Sequence, residues 1–445
     1  MLNPHLRPFQ SALPDFTAGR DTPRQYLERC IERIEAMEPA VGAFVVHDFA
    51  AARRAADEST ARWQAARPLS RIDGMPVGIK DIIETIDLPT QHGSPIYAGA
   101  HAGRDAASVW ALREAGAVIV GKTVTTEFAA TEPRGTRNPH DGTRTPGGSS
   151  SGSAAAVGCG MLPAALGTQV IGSILRPSSF CGAFGFKPTV GAINRGGSHD
   201  GLSQSAHGPI AASLEDAWVT AREIADRVGG DPGYAGLYGP SAVPPPVRPT
   251  RLAVLETDGW GVASDEAKAN LAQALERLRK AGIELVTRRD DASIEALERA
   301  LVRSNPVSRG INGYESLWPM GSYESRDASQ LSASMRARLA EARQMNLRDY
   351  RELIEERAAV RERHARLMNE FDACITLGAP GAAPVGLGST GNPAFNVPAS
   401  MLGTPALTLP VLSAESLPLG VQLIGFADQD ARLFAHARAV LALLV

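Results

Sequence analysis

The sequence predicts an α/β protein. Short buried-strand patterns alternate with amphipathic helix patterns, and the alternation resumes after the proline cluster Pro244–Pro246. With 44% hydrophobic and 21% charged residues, the chain has enough apolar material for a large core. At 445 residues, length alone predicts two or three domains of roughly 150 residues each.

Taken in order, Thr22-Pro23-Arg24-Gln25 reads as a capping box with proline at the first helical position. Leu27, Cys30, Ile31, Ile34 and Met37 follow at helical spacing, giving an amphipathic helix to about Glu38. Pro76–Lys80 reads as a short buried strand ending at the charged pair Lys80-Asp81. Ser108–Ala115 is a helix and Ala117–Val120 a strand. Beyond the prolines come a strand at Arg251–Leu255 and a helix at Asp265–Ala281, with Leu271, Leu275 and Leu278 on one face. Arg336–Phe371 reads as one long, densely charged helical stretch with a solvated face, and Asp428–Val445 as a closing helix.

Charge is segregated. Lys+Arg number 45 and Asp+Glu 48, so the net charge of -3 lacks the basic excess of a nucleic-acid binder. Yet no charged residue occurs in the 31 residues from Thr145 to Leu175, nor in the 42 from Ala373 to Ala414. Neither run is a membrane span, because the second carries six prolines and six glycines and the first is broken by Pro163 and by Gly158, Gly160, Gly167 and Gly172. Met1–Thr22 has no apolar signal region, so no leader is expected. Four cysteines without a CxxC predict neither a disulfide framework nor a zinc site, and point to a reducing, cytoplasmic compartment.

Three familiar patterns fail on context. Gly116–Thr123 (GAVIVGKT) satisfies the phosphate-loop expression, but Ala-Val-Ile-Val belongs in a buried strand rather than around an anion. Gly386–Gly391 (GLGSTG) is followed by Asn392-Pro393, which cannot open the helix a dinucleotide site needs. Gly148–Gly152 (GSSSG) resembles a nucleophile elbow at Ser150, but a polar Pro/Gly-rich loop precedes it instead of a strand. The nine histidines are scattered, and each reads as structural or solvated.

What remains is the loop Gly147–Gly152 (GGSSSG), a second Gly-Ser at Gly172-Ser173, and Lys80 at the end of an apolar strand. Serine needs a base within hydrogen-bond reach to act as a nucleophile. A lysine can be that base where burial lowers its pKa. A linker-like Gly/Ser loop, with Lys80 paired to a carboxylate, accounts equally well for the same residues.

These residues resemble the amidase signature hydrolases. The resemblance runs through Pro76–Asp81 (PVGIKD), Gly121–Ala129 (GKTVTTEFA), the block from Pro146 through Arg176 to Lys187-Pro188-Thr189, Gly403–Ala406 and Leu417–Gly425. Gly147–Gly158 (GGSSSGSAAAVG) looks nearest to malonamidase-like hydrolases of small amides. The family's fold would be one large domain with a mixed, twisted sheet covered by helices on both faces. A helical segment would occupy about 20–70 and the signature core about 71–230, with about 244–445 completing the domain. Residue by residue, the resemblance makes Lys80 the base, Ser149 the serine of a cis peptide and Ser173 the nucleophile. The backbone of Val170, Ile171, Gly172 and Ser173 would form the oxyanion hole. Similar proteins commonly read Thr-Gly where this chain has Val170-Ile171, so a reshaped pocket is expected. β-Branched Ile171 also disfavours φ > 0. Arg176 would bind a substrate carboxylate or hold loop carbonyls, the second being preferred; Thr168 and Gln169 would orient the loop. Pocket walls are expected from loops at about Asn305–Tyr323 and Gly378–Asn396.

The implied function is hydrolysis of the C–N bond of a small amide through an acyl-serine, with esters and carbamates chemically accessible. Neither metal nor cofactor is required, and nucleic acid and membrane are not expected partners; a homodimer is. The alternatives are a glutaminase component of a multi-protein amidotransferase and a catalytically weak binding protein.

Overall fold

The computed structural model describes residues 2–130 and 132–445. The first long helix spans Pro23–Val41, three residues further than the apolar periodicity alone suggests. Only half of the expected capping box forms. Thr22 accepts from the Gln25 N–H at 3.1 Å, while the Thr22 N–H donates to Asp21. The strand at Pro76–Lys80 and the helix at Ala107–Glu114 form as expected, and the next strand runs on to Thr123. The helices Asp265–Lys280 and Asp430–Leu444 also form.

The charged stretch after Arg336 is not one helix. It breaks into Ala333–Ala342 and Leu347–Leu367, because Asn346 caps the second helix reciprocally with Asp349. Nor is it wholly solvated, since Arg357 and His364 are buried.

Among the described residues the strands are β1 (Phe44–His47), β2 (Pro76–Lys80), β3 (Val118–Thr123), β4 (Ala164–Gln169), β5 (Phe184–Lys187), β6 (Ala206–Ala211), β7 (Arg251–Val254), β8 (Glu284–Val286), β9 (Ala373–Leu377), β10 (Ala406–Ala414) and β11 (Leu417–Ile424). They join in one sheet, ordered β1-β3-β2-β4-β6-β5-β10-β11-β9-β7-β8. β2 lies parallel to β3 and β4, and β7 parallel to β8 and β9. The remaining pairs are antiparallel. Strands from both halves of the chain share this sheet, so the length-based expectation of two or three domains gives way to a single one.

Strand alternation sends side chains to opposite faces, and helices cover both. Ile119, Leu166, Leu252 and Leu407 face a core shared with the helices Leu214–Val228, Asp265–Lys280 and Asp430–Leu444. Their neighbours Val118, Val120 and Ala165 pack on the other side against Pro23–Val41, Phe49–Gln64 and Ser151–Gly158. Ala253, Cys374 and Ala406 do the same under Ala292–Leu301 and Leu347–Leu367.

The charge-free run around Ser149 is small because backbones meet there. A Cβ on Gly152 would lie 2.1 Å from the Ala43 carbonyl oxygen, and one on Gly158 would lie 2.2 Å from that of Cys181. The helix Ser151–Gly158 is therefore clamped between β3 and the helix Leu175–Cys181. That clamp fixes the loop holding Ser149.

Candidate active site

Three segments meet at the end of β2. Lys80, its last residue, is fully buried, and its Nζ lies 2.8 Å from Ser149 Oγ and 2.8 Å from Thr168 Oγ1. The peptide bond between Gly148 and Ser149 is cis. Parallel pairing of β2 with β4 brings Thr168, near the end of β4, beside Lys80. The loop after β4 then delivers Ser173. The Ser150 N–H donates to the Ser173 carbonyl at 3.3 Å, tying the two serine loops together.

Burial pushes the Lys80 amine down from 10.5 to about 7, against the opposing pull of the Asp200 carboxylate. At neutral pH a large share of Lys80 is thus unprotonated. Lys80 and Ser149 are in hydrogen-bond contact, but Ser149 and Ser173 are not. Among the described residues, Ser173 Oγ makes no hydrogen bond, and Ser173 lines the cavity.

The turn before Ser173 is held by side chains. Gln169 Oε1 accepts from the N–H groups of Ile174 (2.8 Å) and Leu175 (3.0 Å), and Gln169 Nε2 donates to Ser400. Ser400 donates to the Ile171 carbonyl and Gln204 to that of Val170, both at 2.8 Å. These bonds turn the carbonyls outward. Among the described residues, none of the N–H groups of Val170, Ile171, Gly172 and Ser173 donates to a protein acceptor. None of the four residues has a positive φ, so β-branched Val170 and Ile171 fit the loop without strain.

Arg176 donates to the Gly148 carbonyl (2.7 Å) and to the Thr390 carbonyl (2.7 Å) and hydroxyl (3.0 Å). Its Nη1 is buried without a partner, and the residue lines the cavity. Burial brings the guanidinium down to about 10, which leaves it charged at neutral pH.

The cavity measures about 400 Å³. One wall carries the serine loop, with Val170, Ile171, Ser173 and Arg176; another is apolar, with Phe128, Met320, Met335 and Leu339. Both expected wall segments contribute, but the first is two helices, Ser304–Glu315 and Leu317–Asp327, rather than a loop. Ser150 is fully buried and donates to the Thr168 carbonyl, which leaves it no access to a substrate. Lys122 of the phosphate-loop pattern is buried in β3 beside Asp81, at 3.4 Å. No cluster of His, Cys, Asp or Glu able to hold a metal occurs among the described residues.

The family model described as Amidase matches residues 25–434. The chain belongs to the amidase family. A glutamyl-tRNA(Gln) amidotransferase subunit of Chloroflexus aggregans is 33% identical over 96% of this chain and 94% of its own. A crystal structure of an amidase superposes with a TM-score of 0.85 at 26% identity, covering 99% of this chain and all of that one. The peptide amidase of Stenotrophomonas maltophilia gives 0.77 at 25% identity, covering 98% and 96%. The protein is accordingly an amidase, an enzyme acting on amide C–N bonds.

Three parts of this amidase's site escape sequence reading. His199 and Asp200 reach the cavity from an irregular loop, where no periodicity marks them. His199 Nδ1 lies 2.9 Å from the Tyr323 hydroxyl, so one of the scattered histidines sits in the pocket wall. Arg338 lines the cavity from the helix Ala333–Ala342, whose dense charge suggests a solvated face. Among the described residues no helix is long and apolar enough to cross a membrane.

Proposed function

We propose that this amidase hydrolyses small amides that carry a carboxylate, through an acyl-Ser173 intermediate. The observation that carries the reading is the buried Lys80, partly neutral at neutral pH and in contact with Ser149, next to a Ser173 left open to the cavity. Neutral Lys80 accepts the Ser149 proton as Ser149 accepts that of Ser173. Ser173 Oγ attacks the carbonyl carbon, and the oxyanion takes hydrogen bonds from the free N–H groups of Val170–Ser173. As the C–N bond breaks, Ser149 protonates the departing amine and recovers a proton from Lys80. Water then cleaves the acyl-enzyme through the same relay. The Ser149–Ser173 contact closes in the substrate complex, since such bonds are commonly long in a free enzyme.

The carboxylate preference rests on charge. Arg176 offers a buried, unpartnered Nη1 beside Gly172, and Arg309 and Arg338 line the cavity with no ion-pair partner among the described residues. Against these stand Asp200, satisfied by serine hydroxyls, and Glu132, which accepts from Ser334. Glutamine also bears a carboxylate, and the amidotransferase relatives support a second reading as a glutaminase subunit. Esters and carbamates share the acyl-transfer chemistry and belong in the same test.

The test is turnover by the purified protein alone of malonic and succinic half-amides, glutamine, neutral amides, anilides, esters and aryl carbamates, with product mass measured. Half-amides should lead, and a quenched reaction should show the acyl group on Ser173. Wild-type turnover by Ser173→Ala would overturn the mechanism. Ammonia release from glutamine alone, and only with co-purifying partners, would favour the glutaminase reading.

A further inference from the structure

Val170–Ser173 belongs to neither β4 nor the helix Leu175–Cys181, so no regular ladder orients its peptide planes. They are set instead by what their carbonyls meet. Gln204 Nε2 donates to the Val170 carbonyl and Ser400 Oγ to that of Ile171, both at 2.8 Å, while the Arg176 N–H donates to that of Gly172 at 3.0 Å. These peptide bonds are trans, so each carbonyl points opposite to the N–H across its own bond. The N–H groups of Ile171, Gly172 and Ser173 therefore turn the other way, on a loop whose Val170, Ile171 and Ser173 line the cavity. The Arg176 tether is local, within the turn into the helix. The other two come from far along the chain: Gln204 from the loop ahead of β6, Ser400 from the helix Val397–Leu402, and both are fully buried.

The direction of each bond is fixed by groups that have no choice. A backbone N–H can only donate, and Gln169 Oε1 accepts two of them, from Ile174 and Leu175. Gln169 Nε2 must then be the end that faces Ser400 Oγ, at 2.9 Å. Ser400 accepts there and has one hydrogen left, which goes to the Ile171 carbonyl. The Val170 carbonyl can only accept, so the amide nitrogen of Gln204 is the end that meets it. A side chain without a donor at either position would free a peptide plane to turn. A turned plane brings a carbonyl toward the forming negative charge and takes an N–H away from it.

We propose that Gln204 and Ser400 are positioning residues of this amidase, each holding one peptide plane so that the N–H groups of Ile171 and Gly172 face the forming oxyanion. The inference rests on the acyl-Ser173 mechanism proposed above.

The experiment compares Gln204→Met, Ser400→Ala and Ser400→Thr with wild type on the succinic half-amide, measuring kcat, KM and the pH–rate profile. Affinity for 2-carboxyethylboronic acid is measured on the same proteins. Its boron takes Ser173 Oγ as a fourth ligand, the Ser173 proton passes to the relay, and the resulting boronate carries the negative charge. Gln204→Met and Ser400→Ala should each lower kcat about 10- to 100-fold with KM within about twofold, and weaken the boronic acid by a similar factor. The pH midpoint should not move, because neither side chain titrates. Ser400→Thr keeps the hydroxyl and should recover most of both losses. Gln204→Met keeps the length of the side chain, so a folding defect in Ser400→Ala leaves the test standing. If folded variants keep wild-type kcat and boronic-acid affinity, or lose kcat with that affinity intact, the positioning role is overturned. Lys80→Ala and Ser173→Ala run alongside: turnover surviving there overturns the relay itself.

Discussion

Lys80→Met should stabilise this enzyme at neutral pH while removing its activity. Lys80 holds its proton with a pKa near 10.5 in the unfolded chain and about 7 in the folded one. Between those values the unfolded state binds more protons, so stability rises with pH across the window. Below pH 7 both states are protonated and the penalty is complete; above 10.5 it is gone. At pH 7 the cost amounts to ~4 kcal/mol. Methionine has no charge to desolvate, but it leaves the Ser149 and Thr168 hydroxyls each short of a partner, at about 1 kcal/mol apiece. The net gain is ~2 kcal/mol. For a chain of 445 residues the unfolding entropy makes 1 kcal/mol worth about 1 °C of Tm. Lys80→Met should therefore melt about 2 °C above wild type at pH 7, rather more at pH 6, and level with it near pH 9. The assay is a thermal melt of both proteins from pH 6 to 10. A variant melting below wild type at pH 6–7, or a gap that does not shrink with rising pH, would refute the buried, depressed lysine.

Three other outcomes are expected. kcat/KM should climb about tenfold from pH 6 to pH 8 with a midpoint near 7, as Lys80 loses its proton; a flat profile, or a rise continuing past pH 9, contradicts that. Gly152→Ala should cost more than about 3 kcal/mol, because its Cβ would meet backbone at Ala43 and Val124 within 2.4 Å; a wild-type Tm would show that the clamp on the Ser149 loop yields. Ile171→Gly should widen the cavity and admit bulkier substrates, read as a shifted ranking across the amide panel; an unchanged ranking removes Ile171 from the pocket wall.

The α/β class, the helix after Thr22 and the strand ending at Lys80 were legible because period and capping are local. Lys80, Ser149 and Ser173 were legible only through a resemblance, since 69 residues separate the Lys80–Ser149 contact and nothing local says it exists. The charge-free runs were a subtler mark of the same site. Ser149 and Ser173 both lie in the first run, and Ser400 of the second holds the Ile171 carbonyl of the first. The long charged stretch misled, because charge density does not reveal which turn of a helix faces a cavity, and Arg338 does. Asp200 left no trace: it reaches the cavity from an irregular loop, where no periodicity marks it. Local chemistry settled which segments become strand, helix or tight loop. Only the order β3-β2-β4-β6 in the sheet decided that the ends of β2 and β4 meet the loop before β6. That convergence is what lets burial lower a lysine's pKa, because the effect depends on neighbours distant in sequence.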